Sequence, residues 1–195
     1  MGDTAVKGLI PTFPAGDQTR APADLGFIEA FLNTVDLESG GEEFDTPEAL
    51  AEWLGRHGLL TDAASLTEAD RRRALAVREA LREMLLANHD GIDAPQAALE
   101  LLQGESAGLP LTIDLSSDHA HLRPAGTGLD RAVGAMLAIV FHAMHDGTWS
   151  RMKACRNDTC HWAFYDASRN RSGKWCSMAI CGNRTKVANY RERQS

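Results

Sequence analysis

The sequence predicts an α+β protein, mostly α. A helical N-terminal domain carries one β-hairpin, and a small C-terminal four-cysteine module ends in a basic helix. Three observations carry that expectation. Apolar residues recur at intervals of three and four through most of the chain up to His145, the period of helices packed on a core. One stretch, Leu111 to Arg123, alternates instead, as strands do. Cys155, Cys160, Cys176 and Cys181 are the only cysteines, and all fall within the last 41 residues.

Residues 1–23 hold Pro11, Pro14 and Pro22 among several glycines and read as an extended arm. A first helix is expected from near Asp24, with Phe27, Ile28, Phe31, Leu32 and Val35 inward, ending before Ser39-Gly40-Gly41. Thr46-Pro47-Glu48 starts the second helix with a capping hydroxyl, a proline where no N–H is needed, and an acid near the positive helix end. Leu50, Trp53 and Leu54 face inward there, and Gly58 stops it. Thr67 and Asp70 open the third helix as a capping box. Its stripe is Ala74, Val77, Leu81, Met84 and Leu85, with Arg71, Arg78, Glu79, Arg82 and Glu83 on other faces. Arg71-Arg72-Arg73 reads as a solvated first turn, or else as an anion site. Asp93 with Gln96 begins a shorter helix that runs through Gln103 and stops at Gly104.

Leu111, Ile113 and Leu115, then Ala120 and Leu122, form two strands around Ser116-Ser117-Asp118. His119 and His121 share one face of the second strand, as polar surface or as two ligands without an evident third. The last long helix is capped by Thr127 and Asp130 and ends at Gly147. It turns Leu129, Val133, Met136, Leu137, Val140, Phe141 and Met144 inward and His142 and His145 outward. Thr148 to Lys153 links it to the cysteine module. The domain boundaries expected are thus 1–23, 24–150 and 151–195.

With 195 residues and 44 % hydrophobic content, the chain can bury a full core and carry an appended module. No apolar run approaches the roughly 20 residues of a membrane helix, so no membrane partner is expected. The N-terminus has neither the basic start nor the apolar stretch of a signal peptide, which implies a cytoplasmic protein with reduced thiols. From Arg151 onward ten basic residues face three acids, a net of +7 that leaves −14 for the rest of a chain totalling −7. A basic module on an acidic body suits a polyanion.

The cysteines are spaced C-x4-C, fifteen residues, C-x4-C. Two thiolate pairs on short loops are what tetrahedral Zn2+ needs; two disulfides or four unrelated thiols are the alternatives. A shell of four thiolates has no open position, so the zinc is structural, and His161 beside Cys160 is a less apt ligand. So small a module needs the metal to fold, and such sites supply on the order of 10–16 kcal/mol. A short hairpin is expected between the two cysteine pairs, with Phe164 and Trp175 covering the cluster.

After Cys181 a helix is expected in which Val187 and Tyr190 pack on the finger. Arg184 and Arg191 would form one cationic rail and Lys186 and Arg193 the other, set to touch phosphates. Arg169, Arg171 and Lys174 are further candidates for nucleic-acid contact. Asn183 is a polar contact or a helix-start cap.

Cys155-x4-Cys160, Phe164, Asp166, Ser168, Asn170, Trp175-Cys176-Ser177-Met178, Cys181-Gly182-Asn183-Arg184, Lys186, Tyr190, Arg191 and Arg193 resemble the CGNR zinc finger, over roughly residues 150–193. The preceding region resembles the ABATE domain at Phe31, Asn33, Thr34, Thr46-Pro47, Trp53-Leu54, Leu75, Arg78, Glu79, Ala80 and Leu81. The resemblance implies a bacterial transcription regulator of stress responses, with a finger that binds DNA and a domain that senses a small-molecule effector. Ser172-Gly173 departs from more uniformly basic relatives. The leading expectation is therefore a two-part regulator with a structural zinc, DNA as partner, and RNA left open. A zinc-stabilised protein–protein interaction module without nucleic-acid binding is the alternative. No nucleophile–base set or phosphate-binding glycine loop points to an enzyme. Target sequence, effector and oligomeric state are not specified by the sequence.

Overall fold

The described residues of the computed structural model are 21–22, 24–60, 65–115 and 120–192, without the side chains of 188–190 and 192. Most of the expected arm, the hairpin tip with His119, and Arg193 lie outside them.

Helix α1 (Leu25–Leu32) leads into a two-residue ladder of β1 (Val35–Asp36) with β2 (Gly41–Glu42). Helices α2 (Pro47–Arg56), α3 (Glu68–Asp90) and α4 (Gln96–Gly108) follow. The hairpin β3 (Leu111–Asp114) and β4 (His121–Pro124) is antiparallel, with Leu111 opposite Pro124 and Asp114 opposite His121. Then come α5 (Gly128–His145), a 3-10 turn (Trp149–Arg151), and a second antiparallel hairpin, β5 (Met152–Ala154) with β6 (Ala163–Tyr165). One π turn (Met178–Gly182) opens into α6 (Asn183–Glu192). The protein is mostly helical, with small antiparallel strand pairs.

The helix starts follow the local chemistry. Thr46 Oγ1 accepts from Ala49 N at 3.1 Å. Thr67 and Asp70 form the reciprocal capping box: Thr67 Oγ1 accepts from Asp70 N at 3.2 Å, and Thr67 N donates to Asp70 Oδ2 at 2.8 Å. Thr127 precedes α5 in extended backbone but makes no side-chain cap, and the Asp130 carboxylate pairs with Arg73 at 2.6 Å. Nor does Gly104 stop α4, which runs on to Gly108; one exposed glycine costs a helix only about 1 kcal/mol.

Helix α1 ends at Leu32 rather than continuing through Val35. Thr34 Oγ1 donates to Phe31 O at 2.8 Å, closing the last turn, and Val35 enters the β1–β2 ladder. Phe27, Phe31, Phe44 and Trp53 pack as an aromatic cluster with ring centroids 5.3 to 5.9 Å apart. The core continues through Ala74, Val77, Leu81 and Leu85 of α3 and Val133 and Met136 of α5. It does not end there: Met152, Ala154 and Ala163 are fully buried in the same cluster. The segment expected as a link is thus a buried turn and strand packed on α3.

Two arginines of α3 also depart from expectation. Arg78 and Arg82 are 3 % exposed each, not on an outer face. Arg78 donates to Glu42 Oε1 at 2.7 Å, Glu79 Oε1 at 2.9 Å and Thr34 Oγ1 at 3.0 Å. Arg82 donates to Glu79, to Leu32 O and, at 2.9 Å, to His161 O. Periodicity misses this because buried arginines are admitted wherever every N–H finds an acceptor. Two arginines of the Arg71–Arg73 run are engaged within the chain: Arg71 holds Glu68 and Phe44 O, and Arg73 holds Glu105 and Asp130, while Arg72 is solvated. His142 is half-buried, not solvent-facing, and its Nε2 accepts from Leu122 N at 3.3 Å beneath the hairpin. Burial first, then the neighbouring His121 ring, lowers its pKa below the ordinary histidine value. Phe141 and Met144, expected inward, are about half exposed, and Ile113 on β3 is 66 % exposed.

Candidate metal centre

The first thiol pair sits in the turn of the β5–β6 hairpin. Cys155 follows β5 directly, and its N–H donates to Trp162 O at 2.9 Å. Asn157 shapes the turn: its carbonyl accepts from Cys160 N at 2.8 Å and its Oδ1 from Thr159 N at 3.1 Å. His161 then reverses the chain at φ 47°, in the left-handed region. Of the second pair, Cys176 precedes the π turn and Cys181 lies within it. Gly182 N donates to Ser177 O at 3.1 Å, and Thr185 Oγ1 to Cys181 O at 3.1 Å. A Cβ at Gly182 would meet Met178 Sδ at 2.6 Å and Trp175 Cδ1 at 3.2 Å, so any larger residue would have to push the exposed Met178 side chain aside.

Folding brings the four sulfurs within 4.8 Å of one another. Cys160 to Cys176 and Cys176 to Cys181 are each 3.8 Å. A tetrahedron with Zn–S bonds of about 2.3 Å has edges of about 3.8 Å. All four thiols are free, so the disulfide alternative is wrong. Cys155 and Cys181 are buried and the other two half-buried. Cys155 is held far below the usual thiol range by the thiols of Cys160 and Cys176, whose own ionisation is pushed upward, first by Cys155. Four thiols this close can all ionise together only around a cation that offsets the charge, and a tetrahedral set of four sulfurs suits zinc or iron. His161 is not in the group: it contributes its carbonyl to Arg82 instead.

The segment between the pairs is not the expected hairpin, since β6 pairs back with β5. It is a loop wound around Asp166, which is 3 % exposed. Its Oδ2 accepts from Lys153 Nζ at 2.7 Å and Gly173 N at 2.8 Å, and its Oδ1 from Ser168 N at 3.0 Å. Burial alone would raise this carboxyl's pKa; the Lys153 ammonium and the N–H donors outweigh it and hold the group well below the usual carboxylate range. Lys153 also donates to Arg171 O, tying the loop to β5.

Helical-domain residues fasten this module from outside. The Asn33 side chain pairs with Ala163 as a strand would: Oδ1 accepts from Ala163 N at 2.7 Å and Nδ2 donates to Ala163 O at 3.0 Å. Asn88 Nδ2 donates to Trp149 O and Met152 O. Nothing local in the sequence marks Lys153, Arg82 or Asn88 for these positions, whereas Asn33 and Asp166 are among the residues that carry the family resemblance.

The candidate nucleic-acid residues separate into two places. Arg184, Lys186 and Arg191 are exposed on α6. Arg169, Arg171 and Lys174 are exposed on the Asp166 loop, where Arg171 donates to Ser150 Oγ at 3.0 Å. Arg193 lies outside the described residues. Arg184 donates to Glu38 in the β1–β2 turn at 2.6 Å. Asn183 Nδ2 donates to Ala179 O at 3.1 Å, bonding a carbonyl rather than capping amides. Val187 is not buried by the finger; it is 49 % exposed and lines one shallow groove with Ala179, Ile180, Asn183, Arg184 and Arg191. The finger is too small to bury that side of the helix.

Residues 27–145 match the family model of ABATE, described as "Putative stress-induced transcription regulator", and residues 151–194 match that of the CGNR zinc finger. No curated protein matches the chain. Four clustered cysteines in a CGNR finger fit structural Zn2+. Both families are regulatory or zinc-finger families rather than families of enzymes. No described helix is long and apolar enough to cross a membrane.

Proposed function

The chain belongs to the ABATE family, and on that premise we propose that it is a zinc-dependent transcription regulator of the bacterial cytoplasm, active in stress responses, whose finger binds duplex DNA. The observation that carries this reading is the thiol quartet at the root of α6, a helix whose Arg184, Lys186 and Arg191 are all exposed. Cys155, Cys160, Cys176 and Cys181 hold the Zn2+, which fixes the start of the helix and so aims its cations. Arg184, Lys186, Arg191 and Arg193 contact phosphates, with Arg169, Arg171 and Lys174 at the edge of the footprint. The metal supplies no reaction step.

We place the effector input in the helical domain, which reaches the finger through Asn33, Arg82, Asn88 and Glu38. Because Arg184 is paired with Glu38, DNA has to displace that carboxylate. A gel-shift titration of genomic fragments tests the reading. Zinc-loaded chain shifts DNA, chelation abolishes the shift, and added Zn2+ restores it. A zinc-loaded chain that leaves DNA unshifted at low salt would remove the proposal in favour of the protein–protein module.

A further inference from the structure

The exposed side of the finger helix is mixed in character. Ile180 and Val187 are 53 % and 49 % exposed, yet they share their groove of ≈ 550 Å³ with Arg184 and Arg191. In sequence these four are spaced by four, three and four, and apolar and cationic side chains alternate along one groove that runs from the π turn into α6. Cations alone would serve phosphate contact; branched aliphatic side chains add nothing to it.

We propose that this stripe reads bases in the major groove of DNA, with Ile180 and Val187 closing on the 5-methyl groups of thymines while Arg184 and Arg191 hold the flanking phosphates. The proposal rests on the DNA-binding reading above. Charge complementarity selects the occupant: the groove is edged by guanidinium groups on a module of net +7, set against a body of −14. Dimensions agree, since a helix of roughly 10–12 Å diameter enters a major groove about 12 Å wide. Arg184 and Arg191 are separated by about 10 Å of helix axis, enough for each to reach phosphate beside a base step held by the aliphatic pair. The thymine methyl is the apolar feature of that groove. The deep, narrow major groove of duplex RNA does not admit side chains, so the stripe also selects DNA.

The test uses the full zinc-loaded chain. Preferred duplexes are enriched from a random pool, and each thymine is then replaced by deoxyuridine, which removes only the methyl. At the contacted positions we expect affinity to fall about fourfold per methyl. Ile180→Ala and Val187→Ala should lose a similar factor on the thymine duplex and become indifferent to the replacement, with zinc content unchanged. Duplex RNA should bind more weakly than DNA. If wild type binds DNA but no thymine methyl matters, or if both alanine variants bind as wild type does, the stripe is not a base reader, although DNA binding itself survives. Alanine variants that keep DNA affinity but lose association with another protein would also overturn the proposal, by assigning the stripe to a protein partner. Absence of DNA binding by wild type is the separate failure of the underlying reading.

Discussion

A buried ion pair is most informative when one half is removed. Asp166 and Lys153 are each almost wholly buried, and Asp166→Ala would leave an ammonium without its counter-charge. A loss of about 3–5 kcal/mol in urea unfolding is expected. The pH dependence has a definite sign. The folded carboxyl sits below its unfolded value of about 3.9. Its stabilisation is therefore complete at neutral pH and is lost as pH falls through and below that value. Asp166→Asn should lower stability at neutral pH and flatten the acid limb of the unfolding profile. The Glu38–Arg184 pair is the opposite case, half-exposed on both sides and correspondingly weak. Glu38→Gln should raise DNA affinity by no more than a few-fold at low salt, measured by fluorescence anisotropy.

Helix α3 joins the two matched regions. Its inward stripe was readable from spacing, and so was its capping box, because both are local properties of sequence. Arg82 was not readable, because its acceptors come from Leu32 and His161, residues 50 and 79 positions away. The same limit explains α1: Val35 fits the helical period, but a Thr34 side chain and a partner at Glu42 take it into a ladder. Arg82→Met keeps the stem and removes the three donors. It should destabilise the folded chain by about 3 kcal/mol in a denaturant titration, two hydrogen bonds to carbonyls and one ion pair being lost. At the Asp166 loop a Cβ on Gly173 would stand 2.8 Å from Asp166 Oδ1. Gly173→Ala should therefore displace the carboxylate and cost about 1–3 kcal/mol.

At the scale of the whole molecule, the metal quartet was legible because chain spacing alone nearly determines which thiols meet. How the finger attaches was not. Met152, Ala154 and Ala163 belong to the main core, whereas the change of charge at Arg151 suggests a boundary there. Chelation should consequently loosen residues beyond Tyr165, α6 included, while β5 and α1 to α5 stay protected, as read by hydrogen exchange. The exposed Val187 was misplaced for a related reason: periodicity identifies an apolar face but not whether anything covers it. The most direct measurement is the salt dependence of duplex binding by the zinc-loaded chain. Four phosphate contacts, from Arg184, Lys186, Arg191 and Arg193, predict log affinity falling linearly against log salt with a slope of about −3.6. No measurable affinity at low salt, or an affinity indifferent to salt, would contradict the account.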